Sequence, residues 1–148
     1  MLEYAFGQGK DVVALKRASF AADRGAGSQE IFRSYRHGMA EPVESPNAAR
    51  GKANRFISHS LARARALAAD GDRDGALAEL GAAFHTMMDQ ASPAHTDENG
   101  NPREWGGMNN LNGLRKHIAR ESGRPSKEVM DATAERMRAA YTSVFGKP

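Results

Sequence analysis

Cysteine is absent from this chain of 148 residues. Disulfides therefore contribute nothing to its stability, and thiolate metal sites and a cysteine nucleophile are excluded. Any metal must be held by nitrogen and oxygen. Long apolar runs are missing too, since no stretch approaches the roughly 18 residues that would cross a bilayer as a helix. The first ten residues lack a basic flank followed by an apolar stretch, so no signal peptide is expected in this chain. Sustained alternation of apolar and polar residues, the mark of a half-buried strand, is lacking throughout.

What is present is an ordinary globular composition, 40% hydrophobic and 26% charged. Twenty-one Lys and Arg against 18 Asp and Glu leave a net charge of +3, unevenly spread. Residues 1–69 carry 11 basic and 6 acidic side chains, and residues 70–148 carry 10 and 12. The basic first half is compatible with an anionic partner, phospholipid headgroups or nucleic acid, although so mild an excess is more often an ordinary solvated surface. Arg50, Arg55, Arg63 and Arg65 concentrate this character on one segment.

Apolar residues recur at helical steps. Val12, Val13, Leu15 and Phe20 mark a first helix, broken at Arg24–Ser28, and Ile31, Phe32 and Tyr35 a short second one. Pro42 and Pro46 bracket a loop. A long helix from Asn47 rests on Ala49, Ala53, Phe56, Ile57, Leu61, Ala64 and Leu67 and stops near Gly71. Asp72 or Asp74 caps the next, which holds Leu77, Leu80, Phe84, Met87 and Met88 and ends by Pro93. Residues 94–110, rich in Gly, Asn and Pro, read as a loop. Leu111, Leu114 and Ile118 mark a fifth helix ending near Gly123, and Ser126 caps a last one. The expected fold is all-α, one compact domain over 1–148 built as a bundle of about five to six helices.

The five histidines carry the functional reading. His85 and Asp89, four apart on one helix, present their side chains on one face about 6 Å apart. His117 and Glu121 repeat the step, and His95 lies between the pairs, after Pro93. Imidazole nitrogen and carboxylate oxygen are zinc ligands, and i/i+4 spacing lets one helix supply two. One such pair arises easily by chance on a solvated surface. Two pairs with a further histidine between them point to a metal.

The segment Leu80-Gly81-Ala82-Ala83-Phe84-His85-Thr86-Met87-Met88-Asp89-Gln90-Ala91-Ser92-Pro93-Ala94-His95 resembles the central motif of the zinc-dependent phospholipase C and single-strand nuclease superfamily. The resemblance extends over Ser19 to Glu121 and implies a phospholipase C-like bundle holding two or three zinc ions. It implies that Asp23, His37, His85 and Asp89 ligate one ion, and His95, His117 and Glu121 a second. Asp89 would bridge to a third, whose remaining ligands in the family are an N-terminal Trp and a nearby His; this chain has neither before Asp23. Asp23 is the residue implied to orient or deprotonate the attacking water. The Tyr35-x-His37-x-Met39, His85-Thr86-x-x-Asp89 and Ser92-Pro93-x-His95 blocks, with Trp105-Gly106, also resemble C-terminal toxin domains of bacterial RHS-type polymorphic effectors. That likeness implies a toxin secreted or delivered into a target cell as part of a larger effector, with an immunity protein as partner.

The reaction implied is hydrolysis of a phospholipid headgroup phosphodiester at a membrane surface. A nuclease on the same scaffold, or a non-catalytic helical module holding a structural metal, are the alternatives. His59 and Trp105 are candidate substrate contacts. For His59 a structural role on the long helix competes, and for Trp105, packing. The Met87–Met88 pair reads as core, and Gly7-Gln8-Gly9 as no nucleotide loop.

Overall fold

A computed structural model describes residues 1–121, the Glu121 side chain excepted, and 123–146. Among the described residues there are six α-helices, one 3-10 helix and no strand beyond two isolated bridge pairs. The α-helices are α1 (Leu2–Phe6), α2 (Lys10–Arg24), α3 (Pro46–Ala69), α4 (Arg73–Gln90), α5 (Leu111–Glu121) and α6 (Lys127–Phe145), and the 3-10 helix spans Ile31–His37. The protein is an all-α bundle.

The helix boundaries follow from capping chemistry. Ser45 caps α3 by accepting from the Ala48 N–H at 3.2 Å, so the helix starts at Pro46, whose missing N–H suits a first helical position. Asp72, not Asp74, caps α4 by accepting from the Gly75 N–H at 2.9 Å. Ser126 does the same for α6 through Val129. Helix α1 has no counterpart in the sequence reading. Its five residues are too few to show a period, yet Phe6 lies against the Phe84 and Tyr141 rings at 5.7 and 5.5 Å.

The centre of the bundle is α4. Ala76, Leu77, Leu80, Gly81, Ala83, Phe84, His85, Thr86 and Met87 are all buried, which leaves it little solvent-facing surface. It packs against α2, α3, α6 and the 3-10 helix. The core collects Leu15, Ile57, Leu77, Leu80, Phe84, Met87 and Met137. Gly81 sets the approach of α2, because a Cβ there would lie 2.3 Å from the Ala18 Cβ and 3.1 Å from the Leu15 carbonyl oxygen. Several apolar residues that mark helices in the sequence instead face water, among them Val13, Phe20, Phe32, Leu111, Ile118 and Val129.

Residues 91–110 form no helix and run beside the turn that follows the 3-10 helix. Ala40 N–H donates to the Arg103 carbonyl at 2.9 Å, Trp105 N–H to the Ala40 carbonyl at 2.8 Å, and Arg103 N–H to the His95 carbonyl at 2.7 Å. His95 is thereby held against the end of α4.

Candidate metal centre

One turn of α4 begins the site. His85 and Asp89, four residues apart, place Nε2 and Oδ2 3.1 Å from each other. The 3-10 helix adds His37, whose Nδ1 lies 3.2 Å from the same Asp89 oxygen and 3.1 Å from His85 Nε2. Gly38 then turns the chain in the left-handed region at φ 62°, where a Cβ would meet the Gln90 side chain at 2.9 Å. Glycine is needed there for His37 to come this near α4. The loop after α4 adds His95, with Nδ1 3.3 Å from Asp89 Oδ2. From the last turn of α2, Asp23 brings Oδ1 to 3.9 Å from His37 Nδ1 and 3.8 Å from His85 Nε2.

These spacings are those of a coordination shell. Bonds of about 2 Å to a tetrahedral ion place neighbouring ligand atoms about 3.3 Å apart. The atoms from Asp23, His37 and His85 span 3.1 to 3.9 Å, and Asp89 Oδ2 stands 3.2 and 3.1 Å from the His37 and His85 nitrogens among them. His37 and His85 are buried and Asp23 is half-buried, so this cluster can bind a metal ion.

Charge complementarity points the same way. His37 faces an acceptor at each ring nitrogen, the Ser28 carbonyl 3.2 Å from Nε2 and Asp89 3.2 Å from Nδ1, and a neutral ring has one proton for the two. An electron-rich centre of this kind needs a cation or a proton at its middle. Burial pushes the Asp89 carboxyl up, but hydrogen bonds from His37, His85 and His95 outweigh it and hold the group well below the usual carboxylate range. Asp89 is therefore an anion in the interior.

Supporting contacts hold the donors in place. His85 Nδ1 faces the Ser19 hydroxyl at 3.5 Å, and His95 Nδ1 donates to the His37 carbonyl at 2.8 Å. Gln29 Nε2 donates to the Asp23 carbonyl at 2.9 Å and to its Oδ1 at 3.2 Å, while Trp105 Nε1 donates to the Gln29 carbonyl at 3.0 Å. Sequence reasoning identified none of Ser19, Ser28 or Gln29. Ser19 is one polar residue on a helix, and Ser28 and Gln29 follow a glycine-rich turn, so none carries a pattern that marks a supporting hydrogen bond.

Asp23, His37, His85, Asp89, His95, Trp105 and His117 all line one cavity of about 160 Å3. His117 enters from α5, its ring 4.9 Å from that of His95 and nearly parallel to it, and 5.3 Å from the Trp105 ring. Glu121 belongs to the last turn of α5, and its assignment as a ligand falls on a side chain outside the described residues. Trp105 is 5% exposed and forms a wall of the cavity, with its indole N–H already engaged.

His59 does not line this cavity. It lies two residues beyond the buried Ile57, about 200° around α3, and is exposed and apart from the cavity lining. Beside the polar cavity, and sharing Asp23 and Gln29 with it, runs a larger groove of about 800 Å3 that includes Ile31, Phe32 and Met108.

Fold and site together define a helical bundle with a buried histidine–aspartate cluster able to hold a metal ion. No protein-family model matches the chain, and neither a curated protein nor a solved structure matches it.

Proposed function

We propose that this protein is a zinc-dependent phosphodiesterase of the phospholipase C type, cleaving phospholipid headgroups as the toxin domain of a delivered bacterial effector. The observation that carries the reading is the meeting of Asp23, His37, His85 and His95 around Asp89 in one cavity, from four separate stretches of chain. Imidazole and carboxylate without thiolate make a zinc-compatible donor set. His95 and His117, with Glu121, are the residues we assign to a second ion.

A bound zinc ion supplies a Lewis acid for the phosphoryl oxygens and a water acidified to a pKa of about 7. The chain's own groups divide the remaining work. Asp89, its side chain 14% exposed, is the interior anion that offsets the cation's charge. Asp23, at 41%, is open to the cleft, and we assign it to orient or deprotonate the attacking water. Gln29 holds that carboxylate in its rotamer.

The groove favours a lipid over a nucleic acid. Ile31, Phe32 and Met108 are 39%, 61% and 52% exposed and line it together beside Asp23, offering an apolar surface to a diacylglycerol. Base stacking on Trp105, which the nuclease reading would use, meets a ring already packed against His117. The test offers the purified protein phosphatidylcholine vesicles and single-stranded DNA side by side, with metal content measured on the same sample. Headgroup release that disappears on chelation and returns with zinc is expected. DNA cleavage without headgroup release would move the assignment to the nuclease, and absence of metal with neither activity would end the enzyme reading.

A further inference from the structure

We infer that a second cavity, formed by α3, α4, α6 and the strap after α4, binds a phosphomonoester dianion. It measures about 310 Å3, and Gly38, Arg50, Asn54, Gln90, Thr96 and Arg136 are in its wall. It shares no lining residue with the metal cavity, and this inference does not rest on the catalytic reading.

Arg50 and Arg136 both line this space, and among the described residues no Asp or Glu does. Among the described residues, neither Arg50 nor Arg136 forms an ion pair, whereas Arg63 pairs with Glu79 and Arg73 with Asp11. Arg50 spends one nitrogen on the Gly100 carbonyl at 2.9 Å and on Asn101 Oδ1 at 3.3 Å. Arg136 donates from one nitrogen to Gln90 Oε1 at 3.0 Å. Each fork therefore keeps further N–H donors. Both arginines are also open to solvent, and partial burial of the Arg136 guanidinium pushes its pKa down. An anion entering the pocket would meet both.

The wall is organised as well as charged. Gln90 Nε2 donates to Asn54 Oδ1 at 3.2 Å while its Oε1 accepts from Arg136. This chain fixes both amides: the Asn54 NH2 and the unused guanidinium nitrogens remain as donors. Two unneutralised cations match the double charge of a phosphomonoester better than the single charge of a diester or carboxylate, and planar forks suit phosphate oxygens. The volume lies at the lower end for small-molecule sites, enough for a phosphate with a short organic group.

The experiment titrates the full-length protein with inorganic phosphate, phosphoethanolamine and dimethyl phosphate by calorimetry, and follows Tm at matched ionic strength against chloride. Inorganic phosphate and phosphoethanolamine should bind and, near tenfold excess over Kd, raise Tm by about 3 °C. Dimethyl phosphate should bind weakly or not at all. Arg50→Gln, at an exposed helix position, and Arg136→Gln should each weaken phosphate binding roughly tenfold or more. His85→Ala should leave it unchanged, which separates this cavity from anion capture at the metal centre. Tighter binding of phosphoethanolamine than of phosphate would support a headgroup-like ligand, and equal binding a free phosphate. No heat or stabilisation beyond chloride, binding that survives both arginine changes, or binding lost only in His85→Ala would overturn the inference.

Discussion

At the scale of single residues the centre is organised around one oxygen. Asp89 Oδ2 is the atom that His37, His85 and His95 all approach, so removing one ring withdraws a donor and also exposes the carboxylate to an incomplete shell. His85→Ala is expected to lose bound metal and hydrolysis together, read by metal analysis and headgroup release on the same preparation. His59→Ala should keep both, because that ring sits on the outer face of α3. The opposite pattern would refute the ligand assignment. Gln29 is a subtler case. It donates to both the backbone carbonyl and the carboxylate of Asp23. Contacts of this supporting kind alter metal affinity or activity by about 10- to 100-fold. Gln29→Ala should therefore weaken zinc binding or turnover within that range while the fold, read by circular dichroism, stays intact.

At the scale of elements, two small residues decide whether the donors can meet. Thr86 is fully buried on α4, and its hydroxyl donates to the Arg36 carbonyl at 2.6 Å, tying the 3-10 helix that carries His37 to the helix that carries His85. Thr86→Val keeps the shape and strands that carbonyl, at a cost of about 1–3 kcal/mol. The matching measurement is urea unfolding, and metal affinity should fall with stability; an unchanged midpoint would show that the tie is not needed. Gly81 has the same importance on the opposite side, where α2 crosses. The sequence made much of this visible. The i/i+4 pair on α4 places two donors by helix geometry alone, and the periodicity of α3, α4 and α6 locates the bundle. It could not show α1, whose five residues carry no period, nor that Phe20, Phe32, Leu111 and Ile118 would face water. Periodicity reports that a stripe exists, and only the packing partners decide whether it is covered. Ser28 and Gln29 were illegible for a different reason, since their role depends on a turn bringing them back over the end of α2.

At the scale of the whole molecule, apolar packing and polar chemistry occupy different parts of the chain. The main apolar cluster draws on α1, the first half of α2, α3 from Ile57 onward, α4 and α6. The buried apolar residues of 16–56 and 89–133, Met39, Ala40, Ala49, Ala53, Ala94 and Trp105, lie outside it. Those two stretches carry Asp23, His37, Asp89, His95 and His117, all but one of the described donors. They are held by loop hydrogen bonds, by Trp105 and by the ring contacts among the histidines. A metal ion bonded to residues from α2, the 3-10 helix, α4 and the following loop would therefore stitch the site-bearing segments to a core that stands without them. Ligand bound at about a thousand times its Kd stabilises by about 4 kcal/mol, or about 10 °C in a chain of this size. Chelation should lower Tm by that order. The loss should also be local. Amide exchange should quicken across residues 25–45 and 91–110, whose backbone partners are turns, isolated bridges and the short 3-10 helix, while 76–87 and 134–141 in the core keep their protection. Exchange that rose equally in all four segments would mean that the cluster and the core form one cooperative unit. Exchange and Tm unmoved by both chelation and added zinc would mean that the imidazoles are satisfied by protons alone, and the centre would then be a buried polar network with no metal to hold.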